Sequence, residues 1–303
     1  MEKLRTCKAE LWGLALLGTC IVLVLTASHG PRVSSDSANY IAAAQHMLAG
    51  HGYLRSDGTV CVNWPPLFPG ILALSSLAGL DPVSAARYIN AAVFGLIIAV
   101  SGLWLLNNTR SRGLAIFGSA CILFSMPLVR YSGMVLTEAI FALLVLAFLW
   151  SIGRWMAQPA LKLLLLAAAL AALACMTRYI GVTVILTGTI LIVLNRRVGF
   201  GRRMASAAAF CGIAMLPLAG WLARNWLLTG TLAGERFPSS LSLLENVSMA
   251  GASVLDFFFS TPRVLPAPLG VTIFGLFAAV LFAPALFLHY RQEEGERERA
   301  VPL

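Results

Sequence analysis

Apolar runs of spanning length recur along this chain near 11–28, 84–106, 113–129, 134–152, 161–177, 179–194, 204–223 and 269–289, and they leave few ways for it to fold. Hydrocarbon holds no water to satisfy a backbone N–H or C=O, so runs of this length have to form helices. A mean hydropathy of +0.83 and 12% charged residues agree, because a soluble chain of 303 residues needs a far more charged surface. We expect an all-α polytopic membrane protein of about eight transmembrane helices, a single transmembrane domain over 1–303. A further apolar run, 67–80, has about fourteen residues and is flanked by Pro69 and Asp81-Pro82. It is short for a span and reads as an interfacial, short or re-entrant helix.

Charge decides the orientation. With eight spans and the N-terminus inside, the turns holding Arg110 and Arg112, Arg154 and Lys162, and Arg196, Arg197, Arg202 and Arg203 are cytoplasmic, as is the charged tail 290–303. This arrangement puts 14 of the 22 Lys and Arg residues inside, all three lysines among them. A ninth span at 67–80 would reverse every later turn and oppose the positive-inside rule. Two large loops, 29–83 and 229–268, then face outward, and so do the helix ends carrying Asp36, Arg130, Glu138, Arg178 and Arg224. Polar groups from five helix ends meet on one side of the bilayer, as an active site requires.

The net charge of +9 does not point to nucleic acid, since the basic residues are scattered among short turns between apolar runs. Orientation and contact with anionic membrane lipids explain them better. Five of the six cysteines lie in or beside apolar runs and only Cys61 sits in a polar loop, so no disulfide framework or metal-ligand spacing exists. The first apolar run lacks a clear small-x-small cleavage site and reads as a retained helix. No G-x-S-x-G, P-loop, H-E-x-x-H or kinase signature is present. Cys61 has no helix start or basic neighbour in TVCVNW to activate its thiol.

The candidate residues each carry two readings. Asp36 follows Ser34 and Ser35 at the start of an amphipathic helix to about Ala49, whose stripe is Tyr40, Ile41, Ala44, Met47 and Leu48. It is either an N-cap or a general base held at the membrane surface. Glu138 opens a long apolar run, either capping it with Thr137 or serving in a site, since an acid in a span is a functional candidate by default. Arg178 and Arg224 stand at helix ends, where a guanidinium either snorkels to lipid head groups or grips a phosphate with forked donors. Arg87 and Arg130 read as snorkelling residues, and His46 and His51 as surface residues. Trp64, Trp221 and Trp226 fit an interfacial aromatic belt better than a sugar-stacking platform. Asn246-Val-Ser is a glycosylation sequon in the second outer loop, a triplet too common to weigh.

Taken together, these residues resemble the polyprenyl-phosphate-sugar-dependent glycosyltransferases of the GT-C fold, and more narrowly bacterial relatives of protein O-mannosyltransferases and the lipid A aminoarabinose transferase. The resemblance covers roughly residues 10 to 235. It rests on the first-loop acid and its helix (Asp36, Tyr40, Ala44, Gly50, Gly52-Tyr53) and on Pro65-Pro66-Leu67-Phe68-Pro69. Thr137-Glu138, Arg178 and Arg224-Asn225 add to it. It implies a transfer of sugar from a polyprenyl-phosphate donor to a lipid or protein acceptor hydroxyl on the outer face, of a bacterial inner membrane by analogy. Asp36 would be the catalytic base. Arg178 and Arg224 would hold the donor phosphate, with Arg55 the nearest base to the Lys that some relatives carry before the prolines. Glu138 would position the acceptor or an arginine, or bind a divalent cation if one is used. Tyr40, Asn225 and Trp64 are the candidates to contact acceptor or sugar. Two departures stand out. Many relatives have a second acid where Ser37 follows Asp36 here, and most are longer, with a soluble outer domain. Two other readings remain: a flippase or transporter subunit for lipid-linked sugars, and a non-catalytic member that binds the lipid donor or a partner.

Overall fold

In the computed structural model the described residues are 2–235, 240–258, 266 and 268–277, and among them every regular element is helical. The chain divides into two compact units, Met1–Phe124 with Leu128–Glu235, and Ser125–Pro127 with Arg236–Leu303. The helices are α1 (Glu2–Leu25), α2 (Ser35–Leu48), α3 (Leu67–Leu77), α4 (Pro82–Thr109), α5 (Arg112–Leu123), α6 (Met126–Ser132), α7 (Glu138–Ala157), α8 (Leu161–Thr177), α9 (Val182–Leu194), α10 (Phe200–Thr229) and α11 (Leu243–Phe258).

Among the described residues four helices are long and apolar enough to cross a membrane: Thr6–Leu25 of α1, and α4, α7 and α10. The pair α5 and α6, bent by 56°, makes a fifth span if it is counted as one. The chain is thus a helical membrane protein. The expected run 113–129 breaks at Phe124–Ser125, where Pro127 follows and has no N–H to continue the ladder. The runs 161–177 and 179–194 appear as α8 and, after a single 3-10 turn (Tyr179–Gly181), α9; both are shorter than a straight span. The last expected run, 269–289, is described only to residue 277, and the tail 290–303 lies outside the described residues. Residues 67–80 form an eleven-residue helix, α3, that starts with the prolines.

Small residues allow the first unit to close. A Cβ on Gly95 of α4 would collide with the Ala15 carbonyl and the Thr19 hydroxyl of α1, so the two backbones touch there. Contact of this kind is how helices associate where lipid gives no hydrophobic drive. Arg87 joins the same pair. Its guanidinium donates to the Thr26 hydroxyl and the Leu23 carbonyl, both at 2.9 Å, so it tethers α4 to the end of α1 rather than snorkelling. Behind α7, a core of Phe148, Ile152, Leu164, Ile185 and Phe210 unites α7 to α10. A separate core, Tyr40, Phe68, Leu72, Ile97 and Ile140, seats α2 and α3 against α4 and α7.

In the second unit, α11 opens with a capping box: the Ser242 amide and hydroxyl donate to the Glu245 carboxylate, and the Glu245 amide donates back to the Ser242 hydroxyl. Asn246 of the sequon is in its first turn. Besides the Ser-x-x-Glu spacing, the apolar residues Leu243, Val247, Ala250 and Val254 recur at helical spacing and mark this helix in the sequence.

Candidate functional site

Two backbone hydrogen bonds set the geometry. The Arg32 amide donates to the Gly133 carbonyl at 2.9 Å, and the Val135 amide to the Arg32 carbonyl at 3.1 Å, a one-residue parallel bridge between Arg32 and Met134. Each strand of that bridge runs into a helix, and each delivers an acid four residues on: Asp36 in α2 and Glu138 in α7. Asn90, fully buried in α4, fixes the second strand by donating its Nδ2 to the carbonyls of Met134 (2.8 Å) and Leu136 (3.1 Å).

The capping readings both fail. Ser34, not Asp36, is the N-cap of α2, its hydroxyl accepting from the Ser37 amide at 3.2 Å. Asp36 lies in the first turn, half-buried, and among the described residues its carboxylate makes no hydrogen bond or ion pair. Thr137 makes no side-chain cap either, because its hydroxyl faces the site. It accepts from Arg178 Nη1 at 3.1 Å and shares a hydrogen bond with the Tyr40 phenol. The same Nη1 donates to Glu138 Oε1 at 2.6 Å, in an ion pair whose side chains are 37% and 30% exposed. The other oxygen of Glu138, Oε2, is buried with no partner.

Arg178 reaches this point because α8 stops at Thr177 and the chain reverses in one 3-10 turn. Gly181 closes that turn against the end of α8, where a Cβ would strike the Cys175 amide and the Ala174 carbonyl. Tyr40, packed edge-on against Trp64 and Phe68, is buried at the centre of the charged group. Burial is the main reason its phenol is pushed up from its usual 10 to about 12. Thr137 opposes that rise, the Asp36 and Glu138 charges add to it, and Arg178 opposes it.

A second cluster adjoins this one through Tyr179, the residue after Arg178. The Tyr179 phenol donates to the Val62 carbonyl at 2.6 Å and accepts from Trp221 Nε1 (3.0 Å) and Asn225 Nδ2 (3.1 Å). Arg224 lies with its guanidinium carbon 4.5 Å from the Trp221 ring centre and 5.7 Å from that of Tyr53. Its Nη1 donates to the Cys61 carbonyl at 3.1 Å and to Asn225 Oδ1 at 2.9 Å. Arg55 lies 5.9 Å from the centre of Trp64, with its Nε buried and unpartnered. Trp64 and Trp221 are therefore built into this cluster, whereas Trp226 is exposed on α10. Cys61 does have basic neighbours, Arg55 and Arg224, but burial outweighs them and pushes its thiol up. It remains an unactivated cysteine.

Of the five helix-end groups expected to converge, Asp36, Glu138, Arg178 and Arg224 fall in these clusters and Arg130 does not; Tyr40 joins the first, and Arg55, Trp64 and Asn225 lie in or beside the second. Asn90, the Thr137 hydroxyl and Tyr179 are further members that the sequence reading does not single out. A buried amide in the middle of an apolar run was the available signal for Asn90. The His46 and His51 rings are 6.0 Å apart at the end of α2. Among the described residues no three His, Cys, Asp or Glu side chains group together, and Glu138 is held by Arg178. The donor set therefore does not suit a divalent cation. Arg130 is exposed in the last turn of α6.

Fold and site together define an integral membrane protein with a polar, arginine-bearing cluster built at one set of helix ends. Comparison with protein-family models, with curated proteins and with solved structures finds no match to the chain.

Proposed function

We propose that the chain is an integral membrane glycosyltransferase of GT-C-like architecture. It would move a sugar from a polyprenyl-phosphate donor to an acceptor hydroxyl on the extracytoplasmic face, with eight spans and both termini in the cytoplasm. The observation that carries the reading is the pairing of a free acid with held cations. Asp36 lacks a partner while Glu138, at the matching position of the adjoining strand, is committed to Arg178. One carboxylate is left to take a proton, and the other fixes a guanidinium.

The reaction follows from those roles. The acceptor oxygen attacks the anomeric carbon from the face opposite the phosphate, and its proton passes to Asp36. The bond from the anomeric carbon to the phosphate oxygen breaks, and the polyprenyl phosphate leaves with one more negative charge. Arg178, Arg224 and Arg55 meet that growing charge; the aromatic seat of Arg224 limits how far it must reorganise. Tyr40, kept protonated well past neutral pH, stays a hydrogen-bond donor to sugar or acceptor. Asn225 and Trp64 complete the polar and stacking contacts. Inversion at the anomeric carbon is the stereochemical result.

The span interiors favour this over transport. Ser119 and Ser151 are fully buried but donate to the Ile98 and Leu163 carbonyls of neighbouring helices, so they join helices and do not line a path. Purified protein in liposomes, supplied with polyprenyl-phosphate sugars and a lipid or peptide acceptor, tests the reading. Acceptor-dependent release of free polyprenyl phosphate, with a product of inverted anomeric configuration, is expected. Release without any glycosylated product, across a panel of donors, would sink it.

A further inference from the structure

At the end of the bundle away from the site, the cations of two turns make no ion pair among the described residues. Between Glu138 and Glu235 the chain has no acidic residue, yet six cations stand in the α7–α8 and α9–α10 turns: Arg154, Lys162, Arg196, Arg197, Arg202 and Arg203. The α4–α5 turn differs, because Arg112 is paired with Glu10. The two turns, which hold these six cations between them, are also locked together. Asn195, buried, donates its Nδ2 to the Met156 carbonyl at 3.2 Å, and Arg202 donates to the Pro159 carbonyl at 3.3 Å. Arg203 is anchored on the Val193 carbonyl at 3.1 Å and lies against Phe200, while Arg154 lies against the exposed Trp150. Aromatic side chains of this kind sit at head-group depth in a bilayer. Arg196 makes no hydrogen bond or ion pair among the described residues.

We propose that these two turns form a binding site for the phosphate of an anionic phospholipid head group. A rigid pair of turns holds several cations that make no ion pair among the described residues, with Trp150 at the same end. A phosphate at that depth meets them with opposite charge, and guanidinium forks suit its geometry. The site is independent of the transfer reaction, since lipid retention is read without any turnover.

The test is native mass spectrometry and thermal melting of the purified full chain with phosphatidylglycerol, phosphatidylcholine or inorganic phosphate. Phosphatidylglycerol should be retained and should raise the melting temperature, and phosphatidylcholine should do neither. Retention should fall about fivefold for each charge removed, so roughly a hundredfold in R196Q/R197Q/R202Q. R130Q, which removes an exposed arginine elsewhere, should leave it unchanged. R196Q alone, with no contact to lose, should show the single fivefold step even if the triple variant folds poorly. Equal retention by R196Q and the wild type, or an equal loss in R130Q, would overturn the site. Stabilisation by free phosphate as strong as by the lipid would overturn the lipid assignment.

Discussion

Tyr40 shows how a single buried side chain reports on the site. Its phenol keeps its proton to about pH 12 in the folded protein but only to about 10 in an unfolded chain. A raised native value means that this contribution is intact below pH 10 and is lost as the pH climbs from 10 to 12. We therefore expect the phenolate absorbance lost on Tyr40→Phe substitution to titrate near 12 in the native protein, and a signal near 10 would contradict the burial. Cys61 gives a second check. Its raised thiol and buried position predict that alkylation at mildly alkaline pH, read by site-resolved mass spectrometry, labels it only on unfolding. Labelling of the native protein as fast as a free thiol would argue for an active cysteine. Neither property could be read from the sequence, because TVCVNW places no charge near Cys61. Arg224 arrives there from 163 residues away.

Elements, rather than residues, decide whether the two acids meet. The bridge between Arg32 and Met134 brings α2 and α7 into step, and Asn90 secures it from α4. Replacing Asn90 with Leu removes a side-chain donor from two carbonyls and strands that of Leu136, since the Met134 carbonyl still accepts from the Leu136 amide; a group left unsatisfied costs about 1–3 kcal/mol. We expect Asn90→Leu to lower the melting temperature and to lower transfer, and unchanged melting would show that the strand is held elsewhere. Gly181→Val should displace Arg178 by forcing the 3-10 turn off the end of α8, weakening donor binding more than folding. The helices themselves were legible, because an apolar run of 17 to 30 residues has one outcome in hydrocarbon. The start of α2 and the shortness of α3 were legible too, from Ser34 and from the prolines. The bend between α5 and α6 has its local signal in Pro127, whereas the bridge has none, since it depends on pairing between segments about a hundred residues apart.

On the scale of the whole molecule, the arrangement separates two kinds of charge. One set of helix ends holds acids and arginines that partner each other, and at the other the α7–α8 and α9–α10 turns hold arginines and a lysine that make no ion pair among the described residues. In the eight-span orientation we propose, the first set would face outward and the second the cytoplasm. Cysteines introduced at Ser56 and at Arg197, both exposed, should be labelled by an impermeant reagent from opposite faces of the membrane. Labelling of both from one face would reverse the topology and remove the extracytoplasmic site. If Asp36 takes the acceptor proton, the transfer rate of Asp36→Asn, measured beside the wild type in the same liposomes, should fall about a hundredfold or more, with melting temperature and donor binding preserved. Full activity in a correctly inserted Asp36→Asn protein would contradict it.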